Sequence, residues 1–437
     1  MGAWLLGLGL LGLGVGWPGL VGAETAGSGA LKADTGDTAW VLASSAFVLA
    51  MTVPGLALFY GGLVRKKNVL ATIMHSLSIL SVVSILWIVV GYSLAFGPDR
   101  GGFIGGLEWI FLDGVGLDPH PTYGPTIPHE AFMMFQLMFA AITPALITGA
   151  FAERIRFSAV LLFSLLWSLL VYAPVAHWVW GGGWLSALGA LDFAGGAVVH
   201  ISSGVSALVC ALVLGQRRGY GTDYMAPHNL PLTLLGTGLL WFGWFGFNAG
   251  SALGANGVAV TAFVATHIGA AAGGVVWMGV EWWHRGKPTV LGMASGAVAG
   301  LATVTPASGY IGPFSALIIG AMAGVLCYLA IVWKGHFGYD DALDVVGIHG
   351  VGGVFGILAT GVFASKTVNA GGADGLLFGG MTLFGVQALM VVAIGAFSAV
   401  VSYVLLRLVD AAVTLRVAPD DETSGLDLSA HNERAYS

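Results

Sequence analysis

Two histidines, each with an acid a few residues ahead of it, are the groups in this sequence best placed to do chemistry. Asp192-Phe-Ala-Gly-Gly-Ala-Val-Val-His200-Ile201 leads into an apolar segment that runs through Gly204 to Leu214 and stops at Gln216-Arg217-Arg218. A second stretch, Asp344-Val-Val-Gly-Ile-His349-Gly-Val-Gly-Gly353-Val354, is built the same way. An ionisable side chain at membrane depth costs from ~2.5 to over ~10 kcal/mol depending on method, so it is a working residue by default. Neutral imidazole carries one donor and one acceptor. Two facing imidazoles could therefore share a proton and pass it on without a fixed buried charge. They could also ligate a metal or haem, or line a polar track. Zinc would want a third ligand, and no cysteine or carboxylate recurs at that depth. Haem would want cations for its propionates, and the flanking spans hold none.

The chain that must position these residues has 437 residues, 57% of them hydrophobic and 9% charged, with a mean hydropathy of +0.87. Soluble domains carry about 25% charged residues, so this is an all-α polytopic membrane protein. The net charge of −6, with no basic run, excludes nucleic acid as a partner. Cys210 and Cys327 both lie in apolar segments and read as small core residues. The 69 glycines suit close helix–helix approach.

Residues 1–23 are apolar and end in Val21-Gly22-Ala23 ahead of Glu24, which favours a cleaved signal peptide over an extra transmembrane helix. Eleven apolar segments follow, near 38–64, 68–97, 128–151, 157–178, 194–215, 230–250, 257–283, 289–306, 312–334, 343–364 and 379–408. Alternate connections carry Arg65-Lys66-Lys67, Arg154 and Arg156, Arg217-Arg218, Arg285 and Lys287, Lys334, and Arg416; the others hold only Arg100 and Lys366. The positive-inside rule makes the first set cytoplasmic. The N-terminus is then outside and the C-terminus inside. The tail, 416–437, is acidic and polar: disordered by composition, with docking onto the body as the alternative. Trp178, Trp180 and Trp184 flank Gly181-Gly182-Gly183 at an outer span end. They read either as interface anchors or as a mouth folded at the glycines.

Set in register on their histidines, His200-x-x-x-Gly204-Val205 matches His349-x-x-x-Gly353-Val354. These are the fifth and tenth spans, which alternate topology sends in opposite directions. The pattern predicts an inverted repeat, one about 38–215 and two about 230–364, with the last helix at 379–415 outside it and the site at the repeat interface. Each histidine is about six residues, or ~9 Å, from its own face of a ~30 Å core, so the two could meet. His75 and His267, alone in their spans, read as packing residues. Asp344 reads as a helix N-cap. Asp192 would also favour a cation at the mouth without touching it.

These residues resemble the ammonium transporter family (Amt/Mep/Rh), the bacterial members closely. The 192–201 motif carries the resemblance, with Pro54-Gly-x-Ala-Leu-Phe-Tyr-Gly-Gly62, Ala152-Glu-Arg-Ile-Arg-Phe-Ser-Ala159, Pro227-His-Asn-Leu-Pro231, Gly243-Trp-Phe-Gly-Phe-Asn-Ala-Gly-Ser251 and Thr305-Pro-Ala-Ser-Gly-Tyr-Ile-Gly312. The similarity covers residue 38 to the end. It implies a cofactor-free, non-enzymatic homotrimer of the inner (plasma) membrane, with one pore per subunit for ammonium, ammonia and methylammonium. It places an outer binding site on Trp180, Phe139 and Ser251, a stacked gate on Phe139 and Phe247, and the pore pair on His200 and His349. The structural acid is Asp192; Trp244, Phe135 and Tyr60 line or support the pore. Around Phe139 only the Phe135-x-x-x-Phe139-Ala140 spacing matches. The tail from Gly425 implies docking of a PII-type signal protein. A sensor with little flux, a bis-histidine haem protein and an ion-coupled carrier of a larger solute are the competing readings.

Overall fold

A computed structural model describes residues 31–436; the expected signal peptide lies outside the described residues. Among the described residues ten helices are long and apolar enough to cross a bilayer: α1 Thr35–Leu63, α2 Lys66–Phe96, α3 His129–Phe151, α4 Phe157–Ala187, α5 Gly196–Leu214, α6 Leu230–Gly250, α7 Gly257–Arg285, α9 Pro313–Phe337, α10 Val346–Phe363 and α11 Met381–Val413. Where the eighth span was expected, α8 covers only Val290–Val304. At 15 residues and ~1.5 Å per residue, it is shorter than a ~30 Å core.

The helices divide by how much of each is enclosed. α3 is 94% buried over its most apolar stretch, α11 only 33%. α3 is thus a central post, apolar all round. The bare flanks of α11, including Val392, Val400 and Leu408, are what a lipid-facing helix presents. Between α2 and α3 two short hairpins, Asp99–Arg100 with Ile104–Gly105 and Pro119–His120 with Gly124–Pro128, cover one end.

The other end is tied by charge. Arg65 and Arg217 both reach Glu153, at 2.7 and 3.3 Å, and Arg217 also pairs with Asp340 at 2.9 Å. Arg154, fully buried, donates to the Asp340 carbonyl at 2.6 Å. Three of the basic connections predicted to share one face therefore gather there, bridged by Glu153 and Asp340 from connections of the same set. The tail docks at the same end. Two short helices, α12 Pro419–Ser424 and α13 Leu426–His431, follow α11. Leu426 N–H donates to Asn68 Oδ1 at 2.8 Å, and Asp427 Oδ1 accepts from Ala71 N–H at 2.8 Å. Glu422 holds Arg416 at 2.9 Å, and Leu426 is buried. The disorder expected from composition gives way because α2 supplies both an apolar seat and partners for the tail's polar groups.

Candidate functional site: a histidine pair in an apolar conduit

α5 and α10 cross at glycines. A Cβ on Gly204 would lie 2.3 Å from the Gly350 nitrogen, and one on Gly353 would lie 2.9 Å from His200 Cβ. Neither position has room for a methyl group, so these two glycines, each four residues after its histidine, set the closeness of the crossing. Both histidines lie in wide π-type turns, Gly196–Ile201 and Val346–Val351, that start their helices. Such turns are rare and concentrate at functional sites. The crossing brings His200 Nδ1 to 3.1 Å from His349 Nδ1, with the rings 5.1 Å apart and inclined by 25°. One Nδ1 must donate and the other accept, so the two rings adopt opposite tautomers. His200 Nε2 has no hydrogen-bond partner among the described residues.

The pair ends a column of rings. Trp180 stands edge-on to Phe139 at 5.8 Å, Phe139 stacks on Phe247 at 4.2 Å, and Phe247 faces His200 at 6.3 Å. Phe135 packs edge-on against Phe139 at 5.0 Å. On one side of the Phe139–Phe247 stack an open vestibule of about 250 Å³ is lined by Trp180, Phe139 and Ser251. Ser251 Oγ donates to the Phe247 carbonyl at 2.9 Å, which leaves its lone pairs free to accept. On the other side a chamber of about 20 Å³ holds both histidines, Trp244 and Tyr60, with Leu56, Leu146, Val298 and Ile348 among its walls. One water needs about 10–15 Å³ on the same measure. The chamber thus fits a single small molecule and no hydrated ion. It also has no room for a porphyrin, and two nitrogens in hydrogen-bond contact cannot flank a haem iron. Trp244 Nε1 donates to Thr305 Oγ1 at 2.8 Å, and Tyr60 Oη to the Leu146 carbonyl at 2.9 Å. Their polar ends are spent on the wall, and their apolar faces are left to the conduit.

Asp192 is buried below Trp180, whose Nε1 donates to the Asp192 carbonyl at 2.8 Å. Its carboxylate accepts four backbone N–H groups, from Gly195, Gly196, Ala197 and Val198, at 2.6–3.1 Å. These are the orphan donors of a helix start, satisfied by one charge-assisted cap. Burial pushes the carboxyl up and the four amides pull it back, leaving it above its ordinary value.

At the other end the N-cap expectation for Asp344 is corrected. Asp341, eight residues before His349 as Asp192 is before His200, caps the turn: its Oδ2 accepts from Val346 N–H at 2.7 Å. Asp344 has a left-handed backbone (φ 63°) and pairs with Lys334 at 2.5 Å. Its φ is wrong for a cap, whose backbone is extended. The matching offset of eight was the available signal. Also unforeseen were Gln136, Phe193, Thr122 and Tyr123, which line the vestibule. His75 packs on Phe157 and Phe151 as expected of a packing residue. His267 is instead exposed on the helix flank, beside Trp241. The glycines 181–183 do break α4 at the mouth, between Val179 and Trp184.

A multi-helix membrane bundle with a narrow, largely apolar conduit defines the class: a transport protein for a small solute. The comparisons narrow it. Residues 39–436 match the Ammonium Transporter Family. The chain is 54% identical to the ammonium transporter of Bacillus subtilis, covering 92% of this chain and 98% of that protein. It is 50% identical to ammonium transporter Amt1 of Archaeoglobus fulgidus, over 92% and 99%. Among solved structures, Saccharomyces cerevisiae Mep2 superposes with a TM-score of 0.83 at 38% identity, over 89% and 88% of the two chains. A structure described as a sensor Amt protein superposes at 0.82 and 30%, over 91% and 98%. The chain belongs to the ammonium transporter family.

Proposed function

We propose that this protein recruits ammonium at the vestibule, strips one proton and passes neutral ammonia along the conduit, with the proton carried separately by the histidine pair. The observation that carries this is the 3.1 Å Nδ1–Nδ1 contact inside a chamber of about 20 Å³. The Trp180 and Phe139 faces attract a cation by ~0.5–2 kcal/mol each, and Ser251 Oγ accepts one N–H. Beyond the phenylalanine stack a bare ion would lose its hydration to an apolar wall. Ammonium escapes that cost by deprotonating; potassium cannot. A proton bound at the accepting Nε2 of one ring lets the bridging Nδ1 proton shift to the other ring, whose own Nε2–H is then released. One proton enters, one leaves, and both tautomers invert. Asp192 fixes the turn carrying His200 and makes the mouth favourable to cations.

On this reading the chain crosses the inner (plasma) membrane eleven times, counting α8, with the vestibule outside and the tail inside. Repeats one (about 38–215) and two (about 230–364) face each other across the site, and 379–415 completes a transporter domain of 24–415. The protein works as a homotrimer, and the docked tail presents a surface for a PII-type protein. A sensing role through such a partner is the second reading, favoured by the likeness to the sensor Amt structure. Reconstitution in liposomes separates the two. Methylammonium uptake with one charge moved per molecule, and no potassium current, is the expected result. Ligand binding without flux selects the sensor, and uptake without charge movement removes the proton relay.

A further inference from the structure

His177 lies wholly buried three residues before Trp180, just ahead of the glycine break in α4. Both of its ring nitrogens face acceptors. Nδ1 is 3.0 Å from the Ala95 carbonyl oxygen, and Nε2 is 2.9 Å from Asp99 Oδ1. Neutral imidazole has a single N–H, so it can satisfy one of these contacts and not both. Asp99 Oδ1 already accepts from Gly102 N–H at 2.8 Å, and the Asp99 side chain is 44% exposed. The additional proton therefore belongs on the ring rather than on the acid. The surroundings favour that charge. Ala95 is in the last turn of α2, which ends at Phe96, and His177 is itself in the last turn before the α4 break. The C-terminal ends of helices stabilise cations. The bond to His177 in turn holds the Asp99 carboxyl below its ordinary value.

The same residue is the hub of the vestibule rim. Its carbonyl accepts from Gly181 N–H at 3.0 Å and from Gly183 N–H at 2.9 Å. A Cβ on Gly181 would meet the Ala95 carbonyl and lie 2.6 Å from His177 Nδ1, so the ring packs directly against the turn that follows Trp180. Tyr123 Oη donates to the Gly181 carbonyl at 3.3 Å, and Trp184 N–H to the Gly102 carbonyl at 3.0 Å. The end of α2, the first hairpin and the Trp180 turn are thus joined through one side chain. The other ionisable groups of this cap already have partners. Arg100 pairs with Glu108 on the same hairpin. Asp192, beneath Trp180, gives its oxygens to four amides. Beside the second hairpin His120 Nδ1 accepts from Thr122 and Tyr123 N–H at 3.3 and 3.4 Å, and His129 Nε2 meets Tyr92 Oη at 2.6 Å.

We propose that His177 is a positioning residue for ammonium recruitment: as an imidazolium bridging Asp99 and the Ala95 carbonyl it fixes the Gly181–Gly183 turn and with it the Trp180 face, and when the ring gives up its second proton the rim loosens. The inference rests on the transport reading above and adds to it a dependence on pH at the vestibule side. In the neutral ring one of the two contacts sets lone pair against lone pair, so it opens. As pH rises the Trp180 face is held less firmly, and the vestibule binds the cation more weakly.

The test uses the full chain in liposomes, with sidedness assigned by protease access to the tail. The half-saturating concentration of methylammonium, counted as the cation, is measured from each side between about pH 5 and 9, which spans the range in which imidazole changes charge. For the native protein it should rise about fivefold with pH on the vestibule side, the scale of one net hydrogen bond, and stay level on the other. Asp99→Asn offers an amide N–H to a neutral ring and removes the need for the second proton, so its vestibule-side profile should be flat. Asp99→Glu keeps the counter-ion and should keep the native slope, a rescue that a merely structural role would not give. His177→Gln should also lose the slope. A flat native profile, equal slopes on both sides, or a slope that survives in Asp99→Asn or is lost in Asp99→Glu overturns the proposal. Asp99 is exposed enough for its variants to fold whatever becomes of His177→Gln. If the native protein binds methylammonium without moving it, the transport reading falls, and the same slopes read by equilibrium binding decide the role of His177.

Discussion

The two ends of the conduit are built on one plan and finished differently. At each, an aspartate eight residues before a histidine caps a wide helical turn, and the two turns meet at glycine. At the vestibule end Asp192 accepts four N–H bonds and is shut in under Trp180. Its charge is spent on structure and felt outside only as a field. At the opposite end Asp341 accepts one side-chain bond from the turn it caps, keeps an unpaired oxygen, and has Asp344 and Lys334 for neighbours. The first end presents aromatic faces at its mouth; the second presents a carboxylate paired with a lysine. Aromatic faces bind weakly and tolerate an apolar stack behind them, whereas a half-exposed acid held by a lysine suits a mouth already open to water. Symmetry of the backbone thus does not carry over to symmetry of chemistry.

The comparison can be broken at either end. The largest effect should come from Asp192→Ala, which orphans four buried N–H groups at about 1–3 kcal/mol each. Transport should vanish and the melting temperature should fall by many degrees; native uptake in that variant would reduce Asp192 to a replaceable cap. Next, His200→Ala and His349→Ala should each cut ammonium-driven current at least about tenfold, the range of a lost proton-transfer group, or admit potassium. Unchanged current with unchanged potassium rejection in both variants would remove the relay. Asp341→Asn should act more gently, because an amide oxygen still caps Val346.

That variant also has a pH signature. Burial, countered by Lys334 and reinforced by Asp344, pushes the Asp341 carboxyl up to about 6. A carboxyl raised in the folded state takes up its proton earlier there than in the unfolded chain. The folded state therefore gains stability as pH falls from 7 through 6 toward ~4, the ordinary carboxyl value. Melting temperatures across that window should rise for the native protein relative to Asp341→Asn; parallel curves would show that Asp341 does not titrate there. The smallest effect belongs to Ser251→Ala, which deletes one acceptor of ~1 kcal/mol. Half-saturation for methylammonium should rise about fivefold from the vestibule side and stay unchanged from the other.

Much of this architecture can be read from residue order. Apolar runs of about twenty mark the spans because the bilayer demands that length, and the matched His-x-x-x-Gly motifs single out α5 and α10. The weak points were where local pattern and three-dimensional role diverge. α8 is too short to stand among the long spans on its own. Asp344 is nearer in sequence to its helix than Asp341, yet its backbone points it at Lys334. The vestibule wall from Gln136, Thr122, Tyr123 and Phe193 comes from three separate segments, none with a motif of its own.

Composition and spacing by themselves determined that this is a membrane protein, which histidines are special and which segments carry them, because hydropathy and repeat register are properties of the chain in order. Only the tertiary structure decided that the two Nδ1 atoms touch, that the space around them admits one small molecule, and which acid serves each turn. Those outcomes depend on how closely helices cross and on which backbone dihedrals the loops accept. They are fixed to tenths of an ångström by packing among residues far apart along the chain.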